Sequence, residues 1–180
     1  SWDVLSDGSI EVDFNLTGYG ELPDLPRIGL TWPLDLSWQS LKWFGLGPME
    51  TYSDRQHCGI MGIHESSISA LNHPYIQPQE SGNRMKVHWV ELQQENTSSL
   101  TIKGDEQINF SLLKSDIKEI EAAGHEHELP SGDSQFLHID MGQMGLGGDD
   151  SWGTLPHEKY RLPWGQYRYR FKIDFCQGVS

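Results

Sequence analysis

The chain has 180 residues, 36% of them hydrophobic and 11% aromatic. That is enough to bury one domain-sized core and too much for a disordered segment. Its 26 acidic against 13 basic residues give a formal charge of −13, which argues against a nucleic-acid partner, since phosphate binding needs a basic surface. No apolar run approaches the roughly 20 residues that cross a bilayer, so no membrane partner is expected. No leader segment is visible at Ser1, and the expected location is cytoplasmic, with the periplasm as the alternative. Cys58 and Cys176 lie far apart, without Cys-x-x-Cys spacing, and read as two buried free thiols rather than a disulfide, a metal site or a redox pair.

Read in chain order, the pattern is mostly strand. Ile10, Val12, Phe14 and Leu16 alternate with Glu11, Asp13 and Asn15, the period of a half-buried strand over 9–17. A Gly- and Pro-containing loop follows to Pro26. Residues 27–36 and 41–46 read as further strands, the first placed at a sheet edge or bulged because Pro33 removes a ladder donor. Around Val87–Leu92 both alternate sets carry apolar residues, which predicts a strand covered on both faces. Ile108 and Phe110 mark another strand, and 136–141 one more. Asp116 can cap a short helix, with Glu119 three residues on and Ile117, Ile120 and Ala123 at helical spacing before Gly124; it is expected to be a crossover lying on the sandwich. From Gln166 to Phe175, aromatic and aliphatic residues alternate with Arg168, Arg170, Lys172 and Asp174, a long antiparallel strand with one wet face. The expected fold is all-β, an antiparallel β-sandwich with one short helix, over 1–180 as a single domain. Residues 1–8 read as the tail of a preceding segment.

Four stretches carry more than strand and turn chemistry. Trp43-Phe44-Gly45-Leu46-Gly47-Pro48 runs into Glu50, Tyr52, Asp54 and Arg55, groups able to form charge-assisted hydrogen bonds. Pro74-Tyr75-Ile76-Gln77-Pro78-Gln79-Glu80-Ser81-Gly82-Asn83-Arg84 is an extended segment with a glycine turn. His125-Glu126-His127-Glu128 resembles a ligand cluster, but alternation would part the histidines from the glutamates, and two His without a third ligand make a poor zinc site. Met144-Gly145-Leu146-Gly147-Gly148-Asp149-Asp150-Ser151-Trp152-Gly153 is a glycine-rich loop carrying one tryptophan. Its adjacent carboxylates, Asp149 and Asp150, read as turn-capping groups rather than metal or acid–base groups.

Together with Pro26-Arg27-Ile28-Gly29-Leu30, these motifs closely resemble, in order and from about Gly8 to Phe175, the final domain of the glycoside hydrolase family 2 β-galactosidases. Ser81 and Thr51 stand where that family usually has Asn, and Glu126 where it more often has a small polar or basic residue. The resemblance implies a supersandwich of the galactose mutarotase-like kind, the carboxy-terminal part of a larger enzyme that hydrolyses terminal β-D-galactosides such as lactose. It also implies that the two catalytic glutamates and the Mg²⁺ and Na⁺ sites lie in a separate (β/α)₈ barrel, so that this chain has no catalytic residue, no metal ligand and no cofactor, and is inactive alone. Its partners would then be the galactoside, the barrel and the other domains, or a large subunit. By the same resemblance Trp152 is the stacking platform for the sugar beyond the cleaved bond, while Glu50, Tyr52, Asp54, Arg55, Glu80, Arg84, Asp149 and Asp150 form structural loops and a buried polar network. Two other readings compete. One is an independent sugar-binding module using Trp152. The other is a mutarotase or epimerase using a carboxylate and one of His125, His127 and His138, which rests on fold analogy.

Overall fold

The computed structural model describes residues 1–20, 22–94, 98–130 and 132–177. Nine strands are present among them: β1 (Trp2–Val4), β2 (Ile10–Thr17), β3 (Arg27–Asp35), β4 (Trp38–Gly47), β5 (Ile60–Ser67), β6 (Arg84–Gln94), β7 (Ser98–Leu113), β8 (Ser134–Gln143) and β9 (Gln166–Gln177). One helix, α1 (Ile117–Ala122), sits between β7 and β8. All pairings are antiparallel, in the order β1-β2-β9-β7-β6-β4-β5, with a branch from β7 to β8 and on to β3.

The branch makes the sandwich. Residues Ser98–Gly104 of β7 pair with β9, and residues Asn109–Leu113 pair with β8. Gly104 sits where the strand changes partner; a Cβ there would lie 2.1 Å from the Glu106 carbonyl oxygen, so the bend requires a glycine. The β8–β3 arm then faces β9 across the core. Trp32 meets Phe171 edge-on at 5.8 Å, and the Tyr169 hydroxyl donates to the Ile139 carbonyl at 2.9 Å. One apolar cluster fills the space, from Val12, Tyr169, Phe171 and Ile173 on one side to Leu137 and Ile139 on the other. Each fully buried side chain of this size contributes about 1.5–3 kcal/mol.

The alternation in β2 and β9 is present as read: Val12, Tyr169, Phe171 and Ile173 are buried, while Glu11, Arg168 and Arg170 are exposed. Pro33 lies in β3, which pairs with β8 alone and is therefore an edge; the register shift falls at Ile28/Gly29 rather than at the proline. Other expectations are corrected. The Val87 strand is not covered on both faces. Register shifts flank Val87, bringing it to the buried side with Val90 and Leu92 and leaving His88 exposed. The helix forms with its capping box, Asp116 accepting from the Lys118 N–H, but it lies in the connection between neighbouring antiparallel strands and is not a crossover. Glu126–Glu128 is a 3₁₀ turn with His125 as its extended N-cap, not a strand; the two imidazoles stack at 5.4 Å and Glu128 bonds His125. Both cysteines are free but exposed, not buried.

Candidate functional site

Between β4 and β5 the chain makes a tight turn, Tyr52 and Arg55 exchanging backbone hydrogen bonds of 3.2 and 2.9 Å. The turn directs its side chains two ways. Glu50 accepts from the Gly82 N–H and the Tyr75 hydroxyl, both at 2.7 Å, and pairs with Arg55, whose side chain is largely exposed. Burial pushes the Glu50 carboxyl up, but the Gly82 N–H, Tyr75 and Arg55 outweigh it and leave its pKa below the ordinary carboxylate value.

Tyr52 is fully buried and its hydroxyl donates to Glu80 at 3.3 Å. Burial, then the charges of Glu80 and Glu50, raises the phenol pKa, so Tyr52 acts here as a neutral donor. Glu80 also meets Arg27 at 3.4 Å, and Arg27 reaches Asp140 on β8 at 2.5 Å. Burial pushes the Asp140 carboxyl up to about 6 even with the Arg27 guanidinium against it. Two residues away, His138 is buried with its Nδ1 2.8 Å from the Thr31 hydroxyl; burial and then Arg27 pull its pKa down to about 3, so the imidazole is neutral. Its enclosure takes it away from any sugar at the surface, while His125 and His127 are exposed.

Among the described residues, no carboxylate pairs with Arg84. Its guanidinium donates to the Leu71, Gly82 and Pro48 carbonyls at 3.3, 2.7 and 2.9 Å and lies 5.6 Å from the Trp43 ring centroid. Three separate chain segments are thereby tied to one buried cation. The residues singled out in the sequence thus fall into linked clusters: Glu50 with Arg55, Tyr52 with Glu80, and Arg84 beside them on backbone oxygens.

Asp54 faces the other way, toward the glycine-rich loop. Its Oδ2 accepts the Gly147 N–H at 3.1 Å, and a Cβ on Gly145 would lie 2.9 Å from its carboxyl. Two further bonds hold the base of the loop, Met144 N–H to the Pro26 carbonyl (2.9 Å) and Gly145 N–H to the Tyr160 carbonyl (2.8 Å). Beyond this base the loop is shaped by its own carboxylates. Asp150 accepts the Trp152 N–H at 2.8 Å and the Thr154 hydroxyl at 2.7 Å, which hold its pKa below the ordinary value. Asp149 meets His157 at 2.8 Å. Gly148 packs so close to Thr154 that a Cβ would stand 2.2 Å from the carbonyl oxygen. At the tip the Trp152 indole is 92% exposed, so it is not a core residue of this chain. A flat apolar ring on a loop whose backbone is tied at both ends can stack on an apolar surface without reorganising.

Arg27, Tyr75, Asp140 and His138 complete the polar belt, and sequence reasoning did not place them in it. The signal for Asp140 was present: one carboxylate between Ile139 and Met141 inside an apolar strand, a position that demands a buried partner. Among the described residues, no group of three or more His, Cys, Asp or Glu side chains converges as a metal site, and no helix is long and apolar enough to cross a membrane.

Comparison with known proteins fits this architecture to a family. The family described as β-galactosidase small chain matches residues 1–173. A β-galactosidase of Priestia megaterium is 32% identical over 162 residues, which is 90% of this chain and 16% of that protein. β-Galactosidase BgaC of Bifidobacterium adolescentis is 36% identical over 158 residues, 86% of this chain and 15% of that protein. A β-galactosidase of Photobacterium profundum is 36% identical over 168 residues, 92% and 16% respectively. The chain therefore spans about one-sixth of the length of the curated relatives it matches.

Proposed function

The chain belongs to the β-galactosidase small-chain family, and on that premise we propose that it is the non-catalytic sandwich of an enzyme hydrolysing terminal β-D-galactosides such as lactose, presenting Trp152 to an active site built by a separate catalytic barrel. The observation that carries this reading is the Trp152 indole, 92% exposed on a loop locked by Asp54 and Asp150. Retaining glycoside hydrolysis needs two carboxyls about 5–5.5 Å apart flanking the bond, and in this reading both belong to the barrel, as do the Mg²⁺ and Na⁺ ions. What this chain adds is a plane. The C–H face of a sugar is apolar, and an indole held in place in a partly dehydrated cleft stabilises it by dispersion and apolar burial. An aromatic contact of this kind is worth about 0.5–1.5 kcal/mol beyond its area, or roughly two- to thirteenfold in KM.

The test is kinetic. In the assembled enzyme, Trp152→Ala should raise KM for lactose about tenfold, and Trp152→Phe, which keeps a smaller plane, should recover part of it. The chain alone should not turn over a nitrophenyl galactoside. An unchanged KM in Trp152→Ala, or enzyme-like hydrolysis by the chain alone, would overturn the reading.

A further inference from the structure

An open sheet edge presents unpaired N–H and C=O groups, and proteins guard it with short strands, prolines, inward charges or bulges. The described part of the sheet has three such edges, and two are guarded. β1 has three residues and carries Asp3. β3 carries Arg27, Pro33 and Asp35, and its register shifts at Ile28/Gly29. β5 is not guarded in this way. It is eight residues long, without Pro, Lys or Arg, its single carboxylate Glu65 is exposed, and it pairs with β4 without a register shift from Ser40↔Ser67 to Gly47↔Ile60. Its apolar side chains are bare: Ile60 is 72%, Ile63 62% and Met61 42% exposed. The apolar row continues inward from Ile63 through its partner Phe44 to Trp89 on β6, both only half-buried.

We propose that β5 is an assembly edge, completed by a strand and apolar side chains from a part of the β-galactosidase polypeptide outside these 180 residues. The inference rests on the reading that the chain works with a catalytic barrel, and two observations select the occupant. The matched relatives are about six times as long as the aligned region, so they contain ample chain to supply a strand. A second copy of this chain is disfavoured because each carries a net charge of −13, and bringing two such surfaces together costs Coulomb energy. Position adds a third argument. β5 begins five residues after Arg55, at the end of the sheet where the Tyr52–Arg55 turn holds the Trp152 loop. A strand docked there ties the remainder of the enzyme to the sandwich beside the proposed sugar contact.

Hydrogen exchange measured on the chain alone and after mixing with the catalytic part of its own enzyme tests this directly. The outward-facing β5 amides should gain at least tenfold protection on assembly, and Ile60→Lys/Ile63→Lys should weaken assembly at least tenfold while leaving the melting temperature of the chain alone unchanged. Equal β5 exchange before and after assembly, or unimpaired assembly of the double-lysine chain, would overturn the proposal. Concentration-dependent β5 protection in the chain alone would also overturn it, in favour of a second copy. Trp152→Ala assembles normally in either case, so loss of the sugar contact and loss of the edge are told apart. If the unaltered chain fails to assemble at all, the underlying β-galactosidase reading fails with the proposal.

Discussion

The belt around Glu50, Tyr52, Arg84, Arg27 and Asp140 and the loop from Met144 to His157 meet at Asp54, yet they are built on opposite principles. In the belt, charges are buried and reach groups on distant segments, as when Arg84 joins the carbonyls of Pro48 and Leu71. In the loop, the carboxylates are exposed and bond within a few residues, as Asp150 does to Trp152 and Thr154. Buried polar groups are costly to leave unpaired, so the belt should govern stability. Exposed local bonds exchange readily with water, so the loop should govern shape. What a residue does here follows from the burial of its partners more than from its own chemistry.

Substitutions can break that contrast, and the largest effect belongs to the belt. Arg84→Met strands the buried Leu71 and Gly82 carbonyls and releases the part-buried Pro48 carbonyl, and should cost about 3 kcal/mol in urea unfolding. A loss under about 1 kcal/mol would show that water replaces the guanidinium and that the belt is no firmer than the loop.

Next comes Asp140, whose folded-state pKa of about 6 exceeds the unfolded value near 4. Its contribution to stability is therefore fully present below about pH 4 and lost as pH rises through 6. Two units correspond to about 2–3 kcal/mol. His138, whose pKa is lowered to about 3, has the opposite sign and adds stability as pH rises through the ordinary imidazole range. The Asp140 effect is therefore read as a difference: the stability of the parent relative to Asp140→Asn should fall by this amount from pH 4 to 7 in urea unfolding. Glu50, with its lowered pKa, has the opposite sign, contributing above the unfolded carboxylate range and losing its effect as pH falls.

Asp54→Ala stands at the junction of the two regions. It should cost about 1 kcal/mol or less but speed exchange of the Gly147 amide and raise KM for lactose as loss of the indole does. Trp152→Ala should be smallest in stability, within about 0.5 kcal/mol of the parent, while changing KM. A Trp152→Ala chain that unfolds earlier by several degrees would mean that the indole packs in solution and that the loop is no platform.

Much of the fold was legible because period-two patterning is local. β2 and β9 declare a dry and a wet face in every second residue, and the cap of α1 is written in Asp116 and Glu119. The misreadings fell where a long-range event overrides the local pattern. Val87 changes sides because β6 is bulged against β7, and the His125–Glu128 turn is not a strand because no neighbour pairs with it. The first half of β7 alternates only through Leu100 and Ile102 before polar Lys103, Gly104 and Asp105, too short a run to be seen. Of the site, Glu50, Tyr52, Asp54, Arg55, Glu80, Arg84 and Trp152 stood out through their motifs, but their pairing did not: Asp54 serves the loop and not the cluster around Glu50.

By itself, the sequence determined an antiparallel β chain with an acidic surface, a capped helix and a tryptophan on a glycine-rich loop. Alternation, capping and backbone freedom depend only on near neighbours in the chain. Only the tertiary structure decided that β7 forks to close the sandwich, that Arg27 finds Asp140 113 residues away, that β5 is left with an open apolar edge, and that Trp152 faces solvent instead of the core. Each of these depends on which distant segments exclude water from one another, and burial is a property of the assembled chain that no local stretch of residues contains.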